Sequence, residues 1–155
     1  MKKIAAIVIA LALVIATGVG VYVFVHGEDG IYSRHVSQTF TLTGTSLAQW
    51  KFEADKDVSA HIRIEIIGAS LSDQKAAKVF IKGSSGNGRK QLDADTLRDK
   101  KSSSLSLPFR KGDGNYILFT PSGCSSVQLK VSVTTYTLKG HIRTLGVETG
   151  KDYGL

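Results

Sequence analysis

An all-β fold, an antiparallel β-sandwich of jelly-roll-like type preceded by one N-terminal transmembrane helix, is predicted by three features of this 155-residue chain. The first is a run of 22 residues without a charge, from Ile4 to Val25. The second is apolar patterning with a period of two over most of the remaining chain, where a helix would show 3.6. The third is a regular spacing of Gly-, Pro-, Asn- and Asp-bearing turns between the alternating stretches.

The apolar run comes first. As a helix at about 1.5 Å per residue it spans about 33 Å, enough to cross the hydrocarbon core of a bilayer. Lys2 and Lys3 precede it, and His26, Glu28 and Asp29 come after it. The positive-inside bias then places the N-terminus in the cytoplasm and everything beyond residue 26 outside. Tyr22 and Phe24 fall near the outer end, where aromatic side chains favour the interface. The competing reading is a signal peptide cut after Val14-Ile15-Ala16, which releases a secreted domain. That cut would leave the apolar Val19–Val25 on the mature chain, whereas a cut after Gly27 needs an apolar region longer than the usual ~15 residues. Both readings export the domain. Ala12, Ala16 and Gly20 recur every fourth residue on one helix face, and small residues at that spacing let two spanning helices approach closely. They form the candidate helix-association face, for a homo-oligomer or a membrane-protein partner, although Ala and Gly are abundant in this segment by composition alone.

Residues 26–35 are polar and Gly-bearing and read as a stalk. The chain thus divides into an anchor (1–25), the stalk (26–35), a β-sandwich domain (36–138) and an irregular C-terminal tail (139–155), with a short strand expected near His141–Leu145.

Within the domain, alternation is clearest in Ala60–Ile66, where apolar residues alternate with His61, Arg63 and Glu65, and in Val127–Val133 and Leu105–Phe109. Successive side chains of a strand point to opposite faces, so such segments fit half-buried strands. Val36–Leu42, Ala48–Ala54, Lys78–Lys82 and Asn115–Thr120 repeat the pattern more weakly. Asp55-Lys56-Asp57, Gly83–Gly88, Lys111–Gly114 and Pro121-Ser122-Gly123 supply the turns. Seven or eight such strands predict two packed antiparallel sheets. Trp50, Phe52, Phe40, Ile62, Ile64, Phe119, Leu129 and Val131 are the expected core; Trp50 has the alternative role of an exposed sugar-stacking residue.

The pattern of Gln49-Trp50-Lys51-Phe52-Glu53-Ala54-Asp55-Lys56-Asp57, the Lys78–Gly83 strand, Gly112-Asp113-Gly114-Asn115-Tyr116-Ile117 and the final Val127–Val133 strand resembles exported bacterial jelly-roll modules, the pre-peptidase C-terminal domains in particular. The resemblance covers residues 36–136. It implies an exported jelly roll, a module usually attached to an enzyme, and no enzyme accompanies it in this chain.

The chain carries a formal net charge of +7, of which Lys2 and Lys3 supply two, so the part beyond the apolar run is basic and suits an anionic partner. A single cysteine, Cys124, excludes an intrachain disulfide. It reads as a small buried residue; the reactive alternative is a disulfide between two chains. Catalytic motifs are missing: there is no Gly-x-Ser-x-Gly, and His26, His35, His61 and His141 lie far apart without Cys or His partners at zinc spacing. Asp93-Ala94-Asp95 with Asp99 lacks the glycine and closing glutamate of a calcium loop and sits among Lys and Arg. No metal, cofactor or enzymatic activity is therefore expected.

The most distinctive surface segment is the long connection from Gly83 to Ser102, where Leu92 and Leu97 suggest one further edge strand. It carries Arg89, Lys90, Arg98, Lys100 and Lys101 against three aspartates. These five basic residues are the candidate binding site, for an anionic envelope polymer or a membrane-protein partner. Nucleic acid is not expected, because the aromatic platform for single strands is missing. The expected function is a membrane-anchored extracytoplasmic binding or scaffolding module, held in lipid through residues 4–25 within a cell-envelope complex. The alternatives are an exported carbohydrate-binding module, which needs a row of exposed aromatics that Tyr32, Tyr116, Tyr136 and Tyr153 do not obviously form, and an enzyme of unknown type.

Overall fold

The described residues form nine strands in two sheets, most of them from alternating apolar and polar side chains. The computed structural model describes residues 33–44, 46–86, 88–136 and 141–151. The expected anchor, its Ala12/Ala16/Gly20 face and the stalk up to residue 32 lie outside these. No helix among the described residues is long and apolar enough to cross a membrane.

The strands are β1 (Ser33–Thr43), β2 (Ser46–Ala54), β3 (Val58–Leu71), β4 (Lys78–Gly83), β5 (Arg89–Asp93), β6 (Ser103–Phe109), β7 (Gly112–Ser122), β8 (Cys124–Tyr136) and β9 (Ile142–Lys151), with one short helix, α1 (Ala94–Arg98), between β5 and β6. One sheet runs β1-β8-β3-β6 and the other β5-β4-β7-β2-β9. β1 pairs with β8, β2 with β7, β3 with β6 and β4 with β5, all antiparallel. This nesting is that of one long antiparallel ribbon folded over on itself, the jelly-roll topology. β9 then adds to the outside of β2.

The inward phase of each strand builds one core. All eight expected core residues are buried, from Phe40 through Val131. Phe40, Trp50, Phe52, Phe109 and Phe119 form a chain of tilted aromatic contacts with ring centroids 4.6–5.7 Å apart. Trp50 is 2% exposed and its indole Nε1 donates to Thr144 Oγ1 at 3.3 Å, so it is a core residue and no sugar platform.

The turns obey local chemistry. Asp73 Oδ1 accepts from the backbone N–H groups of Lys75 and Ala76 and shapes the β3–β4 connection. Gly123 links β7 to β8 at φ +66°, where a Cβ would meet Ala77 Cα at 3.1 Å. Both the backbone angle and the close approach call for glycine.

Three segments differ from the sequence reading. Ser33–His35, expected in the stalk, begin β1. The Gly83–Ser102 connection holds β5, the edge strand suggested by Leu92, and also α1, which contains Leu97. Much of the expected tail forms β9, a full strand of ten residues.

Candidate functional site

β4 and β5 form the outer corner of the five-stranded sheet. Val79 and Ile81 point inward and are buried, so Lys78, Phe80 and Lys82 take the opposite phase and face outward. Across the ladder, Phe80 is opposite Gln91 and Lys82 opposite Arg89. Phe80 remains 42% exposed, with Lys78 Nζ 5.1 Å from its ring centroid. A cation at that distance is drawn to the negative face of the ring. Phe80, Ile81, Lys82, Arg89, Lys90 and Gln91 line a cleft of about 550 Å³ that wraps over the edge of the sheet. Lys90 is in the inward phase with Leu92 but only half-buried, because the sheet ends beside it.

The five basic residues singled out in the sequence fall into two groups. Arg98 closes an ion pair with Asp95 at 2.9 Å and donates to the Gln74 carbonyl at 2.7 Å. Lys101 lies 2.9 Å from Asp99, which holds the ammonium above its ordinary pKa and is itself held below the usual carboxylate value by the same contact. Lys100 is exposed in the turn after α1, at φ +52°. Asp93 is likewise occupied, accepting from Thr96 N at 2.8 Å as the N-cap of α1. By contrast, Lys78, Lys82, Arg89 and Lys90 enter none of the ion pairs formed among the described residues. The structure therefore assembles Arg89 and Lys90 with Lys82, Lys78 and Phe80, and leaves Arg98, Lys100 and Lys101 about one short helix away, the first and last neutralised. Sequence reasoning missed Lys78, Phe80 and Lys82 as site residues. Their signal was the phase of Lys78–Lys82, in which Phe80 falls with the lysines.

A second cleft, of about 390 Å³, lies between Glu53, Asp55, His141, Ile142 and Arg143. Its carboxylates and its guanidinium are already engaged. Asp55 Oδ1 accepts from His141 N at 2.7 Å, which holds the carboxyl below its usual pKa, and Arg143 pairs with Glu53. These contacts fasten the start of β9 to the end of β2. Among the described residues, no three His, Cys, Asp or Glu side chains converge as a metal site would need. His35 Nδ1 lies 3.1 Å from Thr134 Oγ1, and His61 is exposed on the outer face of β3. Cys124 is buried at the start of β8, its thiol directed at the carbonyls of Ser122 and Lys78, and burial raises its pKa.

No family model and no curated protein sequence matches the chain. Among solved structures, it is similar to a chain of the acidic stable capsid of Helicobacter pylori bacteriophage KHP30, with a TM-score of 0.40, 11% identity and coverage of 68% of this chain and 98% of that one. It is also similar to CBM35 from Cellvibrio japonicus Abf62, with a TM-score of 0.39, 8% identity and coverage of 70% and 72%. A third similarity is to dimeric latent PorU from Porphyromonas gingivalis, with a TM-score of 0.31 and 11% identity over 68% of this chain and 10% of that one. At these scores the likenesses carry no inference about this chain. The class defined by the fold and site is a β-sandwich module with an unneutralised basic corner.

Proposed function

We propose that the protein is a membrane-anchored, extracytoplasmic binding module whose β4–β5 corner takes an acidic glycan of the cell envelope. The observation that carries this is the outward-facing set of Lys78, Phe80, Lys82 and Arg89, with Lys90 lining the same cleft from the opposite phase; none of these cations is in an ion pair among the described residues. An exposed aromatic face packs against a sugar ring. The guanidinium and ammonium groups at its side hold carboxylate or phosphate oxygens through charge-assisted hydrogen bonds. The uncharged Ile4–Val25 run, with lysines before it, supports the anchor and the outward orientation of the domain. The weak resemblance to pre-peptidase C-terminal modules agrees with export.

The test is binding of the full chain, in detergent, to anionic and neutral polysaccharides. The expected result is retention on the anionic polymer only, weakening as salt screens the charges. Equal binding to both, or binding insensitive to salt, overturns the reading.

A further inference from the structure

The five-stranded sheet ends in two edges of opposite character. β5 is five residues long and carries Arg89 together with the inward-phase Lys90, devices that discourage a new strand from pairing there. β9 is ten residues long, contains no proline, and among the described residues pairs only with β2. It also displays Leu145 and Val147, two of the four large apolar side chains exposed among the described residues. A long edge of this kind is open to strand addition.

The charges of β9 make it complementary to itself. The ladder with β2 shifts between Lys51 and Phe52, so Leu145 is an extra residue; Thr144 lies opposite Phe52 and Val147 opposite Trp50. Thr144 and Val147 therefore share the inner face, and Arg143 and Glu148 the outer one. An antiparallel second copy centred between Leu145 and Gly146 brings Thr144 opposite Val147 and Arg143 opposite Glu148, keeping inner with inner and outer with outer. Arg143 already pairs with Glu53, and Lys51 Nζ lies 2.6 Å from Glu148. Across the junction the outer face then reads Glu53, Arg143, Glu148 of the second copy, Lys51 of the second copy, with the sign alternating at every step. The two-fold axis repeats the row. Opposite charges directly across a ladder stabilise it, while like charges oppose it.

We infer that β9 pairs with β9 of a second copy of this chain, joining two five-stranded sheets into one of ten strands. The partner is the chain itself, because the register that alternates the charges is also the one that matches the faces on either side of the Leu145 bulge.

The experiment uses the full chain in detergent. Light scattering is expected to give the mass of two copies. In the Val147→Cys variant the two introduced thiols lie about 11 Å apart in this register, and a bismaleimide of that length is expected to link them. The parent chain, whose one cysteine is buried, is expected to give no link. Glu148→Arg sets arginine opposite Arg143 and is expected to weaken association at least tenfold and remove the link, with circular dichroism unchanged. A single-copy mass for the parent chain overturns the inference. So does a two-copy mass that survives Glu148→Arg, gives no Val147→Cys link and is lost with Ala16→Leu and Gly20→Leu, since association then belongs to the apolar N-terminal segment.

Discussion

Asn115 closes the β6–β7 turn by gripping Arg110 from both sides: its Oδ1 accepts from Arg110 N, and its Nδ2 donates to Arg110 O, each at 2.7 Å. A third bond runs from Nδ2 to the Gly112 carbonyl at 3.0 Å. The side chain is 3% exposed, so these bonds replace water rather than compete with it. The turn is thereby held over the sandwich end, with Asp57 adding bonds to Lys111 N and Arg110 Nη1 from the β2–β3 connection.

Replacing Asn115 by Asp tests this grip with almost no change in shape. Near neutral pH the carboxylate would face two carbonyl oxygens with no donor, and the expected loss is about 2–4 kcal/mol of unfolding free energy. Protonation restores one donor, so the deficit relative to the parent is expected to shrink as the pH falls below about 5. Urea unfolding at pH 7 and pH 4.5 measures both quantities.

Acid should destabilise the parent chain through its surface aspartates. Asp57, Asp73 and Asp93 are held below the ordinary value of 3.8, foremost by Lys111 N–H for Asp57, by Ala76 N–H for Asp73 and by the Thr96 hydroxyl for Asp93. A depressed folded-state pKa means that the unfolded chain takes up protons first. The stabilisation is therefore complete above about pH 4 and is lost as the pH drops through the lower folded values. Melting temperature is expected to stay level from pH 7 to about 5 and to fall below about 4. Asp73→Asn keeps an acceptor for both N–H groups without a proton to gain, so its melting temperature should fall less steeply in acid.

Much of this architecture is legible in the residues themselves. Ala60–Ile66 and Val127–Val133 alternate without interruption, because β3 and β8 lie at the centre of their sheet and each shows one face to the core and one to water. β9 hides from the same reading for a physical reason. Its inward residues are Ile142 and Thr144, then Val147 and Thr149, so the Leu145–Gly146 bulge reverses the phase and erases the alternation. α1 is five residues, too short to display a helical period, and only its cap, Asp93 accepting from Thr96, marks it. The basic corner was half legible: charge count found Arg89 and Lys90, but pairing with β4 is what sets Lys82 opposite Arg89 and places Phe80 on the same face. Neutralisation of Arg98 and Lys101 depends on the fold of α1 and the turn after it, which charge counting does not anticipate.

Cys124 should behave as an inert core residue. It is 2% exposed, and burial keeps its thiol protonated, whereas attack on disulfides and thiol reagents requires the thiolate. The native chain is expected to react with a thiol reagent at least about tenfold more slowly than the urea-unfolded chain, and to run as a monomer band on a non-reducing gel. Rapid native labelling, or a reducible dimer band, would contradict the burial.

The division of the basic residues gives the sharpest comparison. Lys82→Gln with Arg89→Gln, and Arg98→Gln with Lys101→Gln, each remove two positive charges, so long-range attraction falls equally in both variants. The first pair shares the outward face of the β4–β5 ladder with Phe80 and has no ion-pair partner among the described residues, whereas Arg98 and Lys101 are already matched by Asp95 and Asp99. Exposed ion pairs add little stability, so both variants should fold like the parent. Anionic-polymer affinity is expected to drop about tenfold for Lys82→Gln/Arg89→Gln and by about twofold or less for Arg98→Gln/Lys101→Gln. Isothermal titration at low salt distinguishes them. Equal losses would mean that net charge alone draws the polymer, and that the arrangement of β4 against β5 contributes nothing to recognition.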